Sequence, residues 1–402
     1  METPLPEFSI FTLGLMLLIA SLVAMISRGL RLPYSVGLVA AGIVLALLPR
    51  VPELPLTRDL IFNILLPPLV FEAALQLEWN PFRRDLPLTL ALAFPGVAIA
   101  ASIVATGMHF GVGWDWIGAS LFGVLIAATD PVSVVAAFKE LGVQRRLRML
   151  VEAESLLNDG AAAVGFSLLV TIAAGGAMSP GAFIGSLLWT TAGGVAAGVA
   201  VSSGLLLIAW RTDDHLVEIT LTTIAAYGSF LLAEHFGMSG VLASLTAGLM
   251  VGNLGCGWVI SENGRSHILS FWEYAAFLAN SIVFILIGEY GAHQPIALVA
   301  RAAPIAIVLV LLGRSLAVYP LSALFARSRL KADLRYQHVL LWGGLRGALA
   351  LALALALPED IPERQEIVVM AFAVVAFSIF IQGLTMPWFI RRLGLVLSAE
   401  EG

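Results

Sequence analysis

The sequence predicts an all-α polytopic membrane protein, and three observations carry that reading. Of 402 residues, 59% are hydrophobic and only 12% are charged, about half the charged share of an average soluble domain. Long apolar stretches recur along the whole chain with short polar connections between them, and basic residues gather in alternate connections. A soluble globule cannot hide so much apolar surface, and a disordered chain would not carry it. With 22 Lys plus Arg against 27 Asp plus Glu, the net charge of -5 shows no basic excess that would point to a nucleic-acid partner. A single cysteine, Cys256, excludes a disulfide framework and leaves a Cys/His zinc site without ligands. No cofactor is expected.

A spanning helix needs about 20 apolar residues to cross about 30 Å of hydrocarbon. Apolar runs broken by charge, Pro and Gly predict thirteen spans, near 8–27, 34–50, 58–77, 86–108, 116–138, 147–173, 181–210, 216–235, 239–253, 266–289, 295–326, 336–357 and 364–390. The first is preceded only by Glu2 and Glu7 and shows no small-residue cleavage site, so it reads as a retained helix and not a signal peptide. Gly193, Gly194, Gly198 and Gly204 in the seventh span predict close helix packing. Gly402 follows soon after the last span, so neither a soluble domain nor a regulatory tail is expected.

The connections set the orientation. Sixteen basic residues follow odd-numbered spans, among them Arg83, Arg84, Arg145, Arg146, Arg148 and Arg329, whereas only Arg50, Arg58 and Arg364 follow even-numbered ones. Basic residues stay on the cytoplasmic side. The bias therefore predicts an external N-terminus and a cytoplasmic C-terminus in the cell membrane.

Two spans are interrupted. The fifth carries Ala127-Ala128-Thr129-Asp130-Pro131, and Pro131 lacks an N–H and clashes with the preceding turn, so the helix should break there. The twelfth carries Gly343-Gly344-Leu345-Arg346-Gly347. Spans 1–6 start outside and spans 8–13 start inside, so these breaks occupy matched positions in two inverted six-helix units. Discontinuous helices at matched positions of inverted repeats point to a transporter's binding site. The alternative is a pair of ordinary kinked helices, but each break also carries a charge.

Ionisable residues at membrane depth are costly and mark function. Asp130, Glu154, Asp159, Arg314 and Arg346 stand out. Asp159 lies eleven residues beyond Arg148, roughly 16 Å along a helix and near the midplane, while Glu154 is about 9 Å deep. Ser155 and Asp159 share one helical face, and Glu154 and Asn158 share an adjacent one. The stretch from Glu154 to Asp159 thus offers two carboxylates, a hydroxyl and an amide oxygen, the ligands a hard cation such as Na⁺ prefers. The broken fifth helix adds backbone carbonyls near Thr129. The competing reading of Asp159 is a structural salt bridge to Arg314 or Arg346. Asp130 is suited to offset positive half-helix ends and Arg346 negative ones. Arg314 needs an acidic partner, and Glu154 is preferred to Glu72. Glu72 and Glu273 are expected to snorkel towards the cytoplasm. Gln382 is expected to bond between helices, Trp258 and Trp388 to anchor at the interface, and all six histidines to be solvated in or near loops.

These residues resemble the NhaP-type Na⁺/H⁺ antiporters, the bacterial and archaeal relatives of the animal sodium/proton exchangers. The matching stretches are Leu66-Pro67-Pro68-Leu69-Val70-Phe71-Glu72, Ala128-Thr129-Asp130-Pro131-Val132, Glu152 to Gly160, Gly343 to Ala348, and Gln382-Gly383-Leu384-Thr385. They spread over the whole chain in the family's order, and the Asn158-Asp159 pair in this context is the specific signal. The resemblance implies an NhaA-like antiporter fold and a homodimer. Residues of about 1–85 and 216–292 would form the dimer part and about 86–175 and 293–392 the moving core, with about 181–210 as linker. It implies that Asp159 takes either cation or proton, that Thr129, Ser155 and Glu154 complete the site with Asn158 in support, and that Glu154 pairs with Arg314. Na⁺ is the family default, with Li⁺ and K⁺ open. Exchange of one cation for one proton across the membrane, by alternating access of an elevator type, is the expected function. A monovalent cation channel is the alternative, which would need a continuous pore and a filter. An intramembrane protease using Glu154 and Asp159 is disfavoured, because i,i+5 side chains stand about 140° apart on a helix. No His-Glu-x-x-His, Gly-x-Ser-x-Gly or phosphate-binding glycine loop occurs.

Overall fold

The computed structural model describes residues 10–30, 32–48, 57–175, 179–210 and 213–396. Glu2, Glu7, Arg31, Arg50, Arg211 and Gly402 lie outside the described residues, as does the side chain of Trp258. Among the described residues the chain is helical throughout, with two isolated backbone bridges and no sheet. Helix occupies each predicted apolar stretch. The elements are α1 (Ile10–Leu30), α2 (Tyr34–Ala46), α3 (Leu66–Gln76), α4 (Trp79–Val112), α5 (Trp116–Leu125), α6 (Val132–Leu141), α7 (Arg145–Ala173) and α8 (Pro180–Ala209). They continue as α9 (His215–His235), α10 (Gly240–Met250), α11 (Glu262–Ala292), α12 (Ala303–Leu324), α13 (Leu334–Trp342), α14 (Ala348–Leu355), α15 (Arg364–Phe377) and α16 (Leu384–Arg392). Among the described residues, eight helices are long and apolar enough to cross a membrane by length and composition. The protein is a multi-pass membrane protein.

Boundaries differ from expectation where charge was taken for an end. Helix α4 begins at Trp79 and carries Arg83 and Arg84 on its first two turns, because the stems of long basic side chains tolerate a helix emerging from the apolar layer. Conversely, α12 begins only at Ala303, where Pro304 suits a first turn that needs no N–H. Arg301 is thereby left exposed in the preceding turn rather than inside a span. Among the histidines, His338 sits on α13 and hydrogen-bonds the Tyr319 hydroxyl at 2.7 Å, not in a solvated loop. Trp388 is exposed, with the Arg392 guanidinium 5.4 Å from its ring centre.

Two groups of helices surround the site. In one, α4 packs against α12, α5 and α7; in the other, α11 lies along α2, and α10 packs against α3, α8 and α9. The α2–α11 crossing is a backbone contact. A Cβ on Gly42 would lie 2.1 Å from the Ile285 carbonyl oxygen, and one on Gly288 would lie 2.1 Å from that of Val39. Small residues let helices meet at that distance where lipid supplies no hydrophobic drive for association.

The interrupted spans decide the centre. The chain leaves helix at Leu125 and re-enters it at Val132, and does so again between Trp342 and Ala348. The two non-helical segments meet, with the Asp130 N–H donating to the Leu345 carbonyl at 2.7 Å. Ser378–Gly383 is wound as a π-helix, and it turns Ser378 and Gln382 towards this crossing. The Ser378 hydroxyl accepts from the Arg346 N–H at 3.0 Å, and the Gln382 amide donates to the Trp342 carbonyl at 3.0 Å.

Candidate functional site

Four half-helix ends converge at the crossing, each with unsatisfied backbone groups and a partial charge. At the C-terminal end of α5, Arg346 donates to the carbonyls of Ala127 and Ala128 at 2.8 and 3.1 Å. At the C-terminal end of α13, Arg314 donates to the Leu340 carbonyl through Nε at 3.3 Å and Nη2 at 3.0 Å. Asp130 serves the positive ends. Its Oδ1 accepts from the Val132 N–H at 2.9 Å at the start of α6. The same carboxylate lies against the start of α14, where a Cβ on Gly347 would meet Oδ2 at 2.4 Å. Asp130, Arg346 and Arg314 thus all lie at half-helix ends of the crossing.

Helix α7 brings the oxygen-bearing side chains to the broken fifth span. The Ser155 hydroxyl donates to the Thr129 carbonyl at 2.5 Å and lies 3.0 Å from the Thr129 hydroxyl. The Asn158 amide donates to the Thr129 hydroxyl at 3.1 Å and to Glu154 Oε1 at 2.5 Å. Glu154 is held by Arg314 at both oxygens, 2.5 and 2.8 Å from the two terminal nitrogens. The pair is buried, with side-chain exposures of 8% for Arg314 and 3% for Glu154. A bidentate carboxylate–guanidinium geometry is the form in which such a pair can offset its desolvation.

Asp159 touches this chain of bonds only through the Thr129 backbone. It makes no ion pair among the described residues, and its Oδ1 is buried without a hydrogen-bond partner. The reading of Asp159 as a salt-bridged structural residue is thus not borne out by the geometry. It lines a cavity of about 90 Å³, room for water-sized groups. Thr129, Asp130 and Gly347 also line this cavity. Ser155, Asn158 and Glu154 do not reach its wall. They form a buried layer behind it. Glu154, expected among the direct ligands, is the main departure: both its oxygens are engaged by Arg314 and Asn158, and a carboxylate so held has little free to offer.

Two residues of the wall were not singled out as site residues. Glu72, expected to snorkel, lines the same cavity from α3, and Asn280 lines it from near the middle of α11. Both come from the helix group opposite Asp159. The sequence signals were a carboxylate closing the matching stretch Leu66–Glu72 and an amide in a long apolar helix; in the structure Gln76 hydrogen-bonds Glu72. Among the described residues no group of three or more His, Cys, Asp or Glu is arranged to hold a metal ion.

The chain as a whole is similar to known proteins. The chain is 38% identical over 381 residues to the Na⁺/H⁺ antiporter NhaS2 of Synechocystis sp., covering 95% of this chain and 70% of that one. It is 31% identical over 404 residues to the Na⁺/H⁺ antiporter NhaP of Pseudomonas aeruginosa, covering 93% and 95%. The solved structure of the sodium proton antiporter MjNhaP1 from Methanocaldococcus jannaschii at pH 8 superposes with a TM-score of 0.76 over 97% of this chain and 99% of that one, at 20% identity, a likeness of fold. The transmembrane sodium/hydrogen exchanger family matches residues 15–392. With that extent of match, the chain belongs to the transmembrane sodium/hydrogen exchanger family, whose members are transporters and not enzymes.

Proposed function

We propose that this chain exchanges Na⁺ for H⁺ across the cell membrane, one for one, with Asp159 as the group that carries either ion. The single observation that carries the reading is the unpartnered Asp159 oxygen facing a small cavity where two broken helices cross. A carboxylate there is ligand to a cation when charged and releases it when protonated. Occupation by one Na⁺ or one H⁺ leaves the site with the same charge, so the cycle is electroneutral. Asp159 and Thr129 contact the cation, Ser155 and Asn158 hold Thr129 in place, and the Glu154–Arg314 pair braces α7 against α12 and α13. Asp130 and Arg346 neutralise the half-helix ends, so that the bound ion need not.

In this reading the chain crosses the membrane thirteen times as two inverted six-helix repeats joined by α8, with the N-terminus outside. Helices α4–α7 and α12–α16 form a core that slides against a body made of α1–α3 and α9–α11, exposing the cavity to each side in turn. Two copies assemble through the stationary body. No cofactor takes part. Similarity to Na⁺/H⁺ antiporters supports Na⁺ and H⁺ as the two ions exchanged. Li⁺ and K⁺ are tested beside Na⁺, since all three bind oxygen.

The test is reconstitution into vesicles with an imposed pH gradient, followed by addition of Na⁺, Li⁺ or K⁺ while lumenal pH is read. Collapse of the gradient on adding Na⁺, without a membrane potential, is expected. A potential generated by the wild type would overturn one-for-one exchange, and current without countermoving protons would indicate a channel.

A further inference from the structure

Apart from the Asp159 cavity, the described residues line an open basin of about 570 Å³ where the starts of α4 and α7 meet the connection after α12. Five guanidiniums line it, those of Arg84, Arg145, Arg146, Arg148 and Arg329. Its three carboxylates are already taken. Glu78 pairs with Arg145, and Glu152 pairs with Arg148 at 2.9 Å. Asp85 accepts from Arg146 Nε at 3.1 Å and Nη2 at 2.8 Å. Arg84 and Arg329 have no ion pair among the described residues and are exposed to the basin. Two positive charges therefore face an open basin with no protein anion left for them on its wall.

The backbone adds to the same field. Helices α4 and α7 run 34 and 29 residues, and both present N-terminal ends here without a side-chain cap or an acidic residue in the first turn. Such ends favour anions. One donor is used, the Trp79 N–H bonding the Asn253 side-chain oxygen at 2.8 Å. Arginine forks match the tetrahedral oxygens of phosphate. We propose that this basin binds a phosphate group, held chiefly by Arg84 and Arg329 with the paired arginines completing the shell. On the orientation set by the basic residues the basin opens at the cytoplasmic membrane surface, so the phosphate belongs either to an anionic lipid headgroup or to free phosphate in the cytoplasm. The site is separate from the Asp159 cavity and does not depend on which ions are exchanged.

The test is thermal melting of the purified full chain in detergent, which reads binding without transport. Phosphatidylglycerol is compared with phosphatidylcholine, and inorganic phosphate with chloride at equal ionic strength. The wild type is expected to melt higher with one of the two phosphates. In R84Q/R329Q most of that rise is lost, and the phosphate or lipid concentration giving half of it increases at least about tenfold, the loss expected for removing charge-assisted bonds. A rise confined to phosphatidylglycerol identifies a lipid site, and one produced by inorganic phosphate identifies a free-anion site. No rise with either, or an equal rise in the double variant, overturns the proposal. The single variants R84Q and R329Q, each expected to lose part of the rise, keep the test decisive if the double variant folds poorly.

Discussion

Asp159 and Glu154 are five residues apart on one helix and do opposite things. Glu154 has its charge matched by Arg314; Asp159 leaves a buried oxygen unbonded. Removing one partner of a buried pair costs about 3–5 kcal/mol because the other charge is stranded. Glu154→Ala is therefore expected to lower the melting temperature in detergent well below that of Asp159→Ala, which strands no opposite charge. Equal melting of the two variants would refute this division. For transport the order reverses. Asp159→Asn preserves size but cannot cycle a proton, so it is expected to fold normally and to lose exchange altogether; measurable Na⁺-driven proton flux in that variant would move the carrier role to another carboxylate, Asp130 or Glu72 on the cavity wall. Competition also fixes a sign for pH. Lowering pH fills the Asp159 carboxylate with protons and removes the cation's ligand, so the half-saturating Na⁺ concentration should rise as pH falls. A flat dependence across neutral pH would argue against a shared site.

At the level of elements, the crossing works because each half-helix end finds a charge or a donor. Gly347 is the point where this is tightest. A Cβ there would stand 2.4 Å from Asp130 Oδ2 and 2.5 Å from its Cβ, distances that force α14 or Asp130 to move. Gly347→Ala is expected to destabilise by about 1–3 kcal/mol, as overpacking does, and to impair exchange, since the displaced group is the one that serves the starts of both α6 and α14. Melting and flux measured on the same preparation check both parts, and wild-type values for both would show that the crossing has slack the structure does not display. The expectation that Pro131 and the Gly343–Gly347 run break their helices is met at this scale, for a local reason: a missing N–H and unrestricted backbone act within one turn.

Taken as a whole, the molecule depends on its orientation, which rests on the basic residues of alternate connections. A reporter fused after Arg392 is expected to behave as cytoplasmic, and one inserted within residues 174–179 as external. A cytoplasmic signal from the latter would remove one crossing from the count and turn the basin at Arg84 and Arg329 away from the cytoplasm.

Much of this protein was legible along the chain. Hydropathy over twenty residues reports the cost of placing backbone and charge in hydrocarbon, so the helical membrane class followed directly. Helical periodicity put Ser155 with Asp159 and Glu154 with Asn158, and the cost of an unpaired arginine at depth pointed from Arg314 to Glu154. These are one-helix or one-charge arguments. The tertiary structure alone decided what required two helices at once. It placed Glu72 and Asn280 on the wall of the cavity that Asp159 faces, a meeting of separate helices that the matching stretch around Glu72 does not specify. It withdrew Glu154 from the wall by giving both oxygens to Arg314, and it assigned Arg314 to the end of α13 as well as to Glu154. The physical reason is that a side chain's position along its own helix is set by a repeat of 3.6 residues, whereas the partner it meets across a cavity is set by how separate helices pack, which no local repeat records.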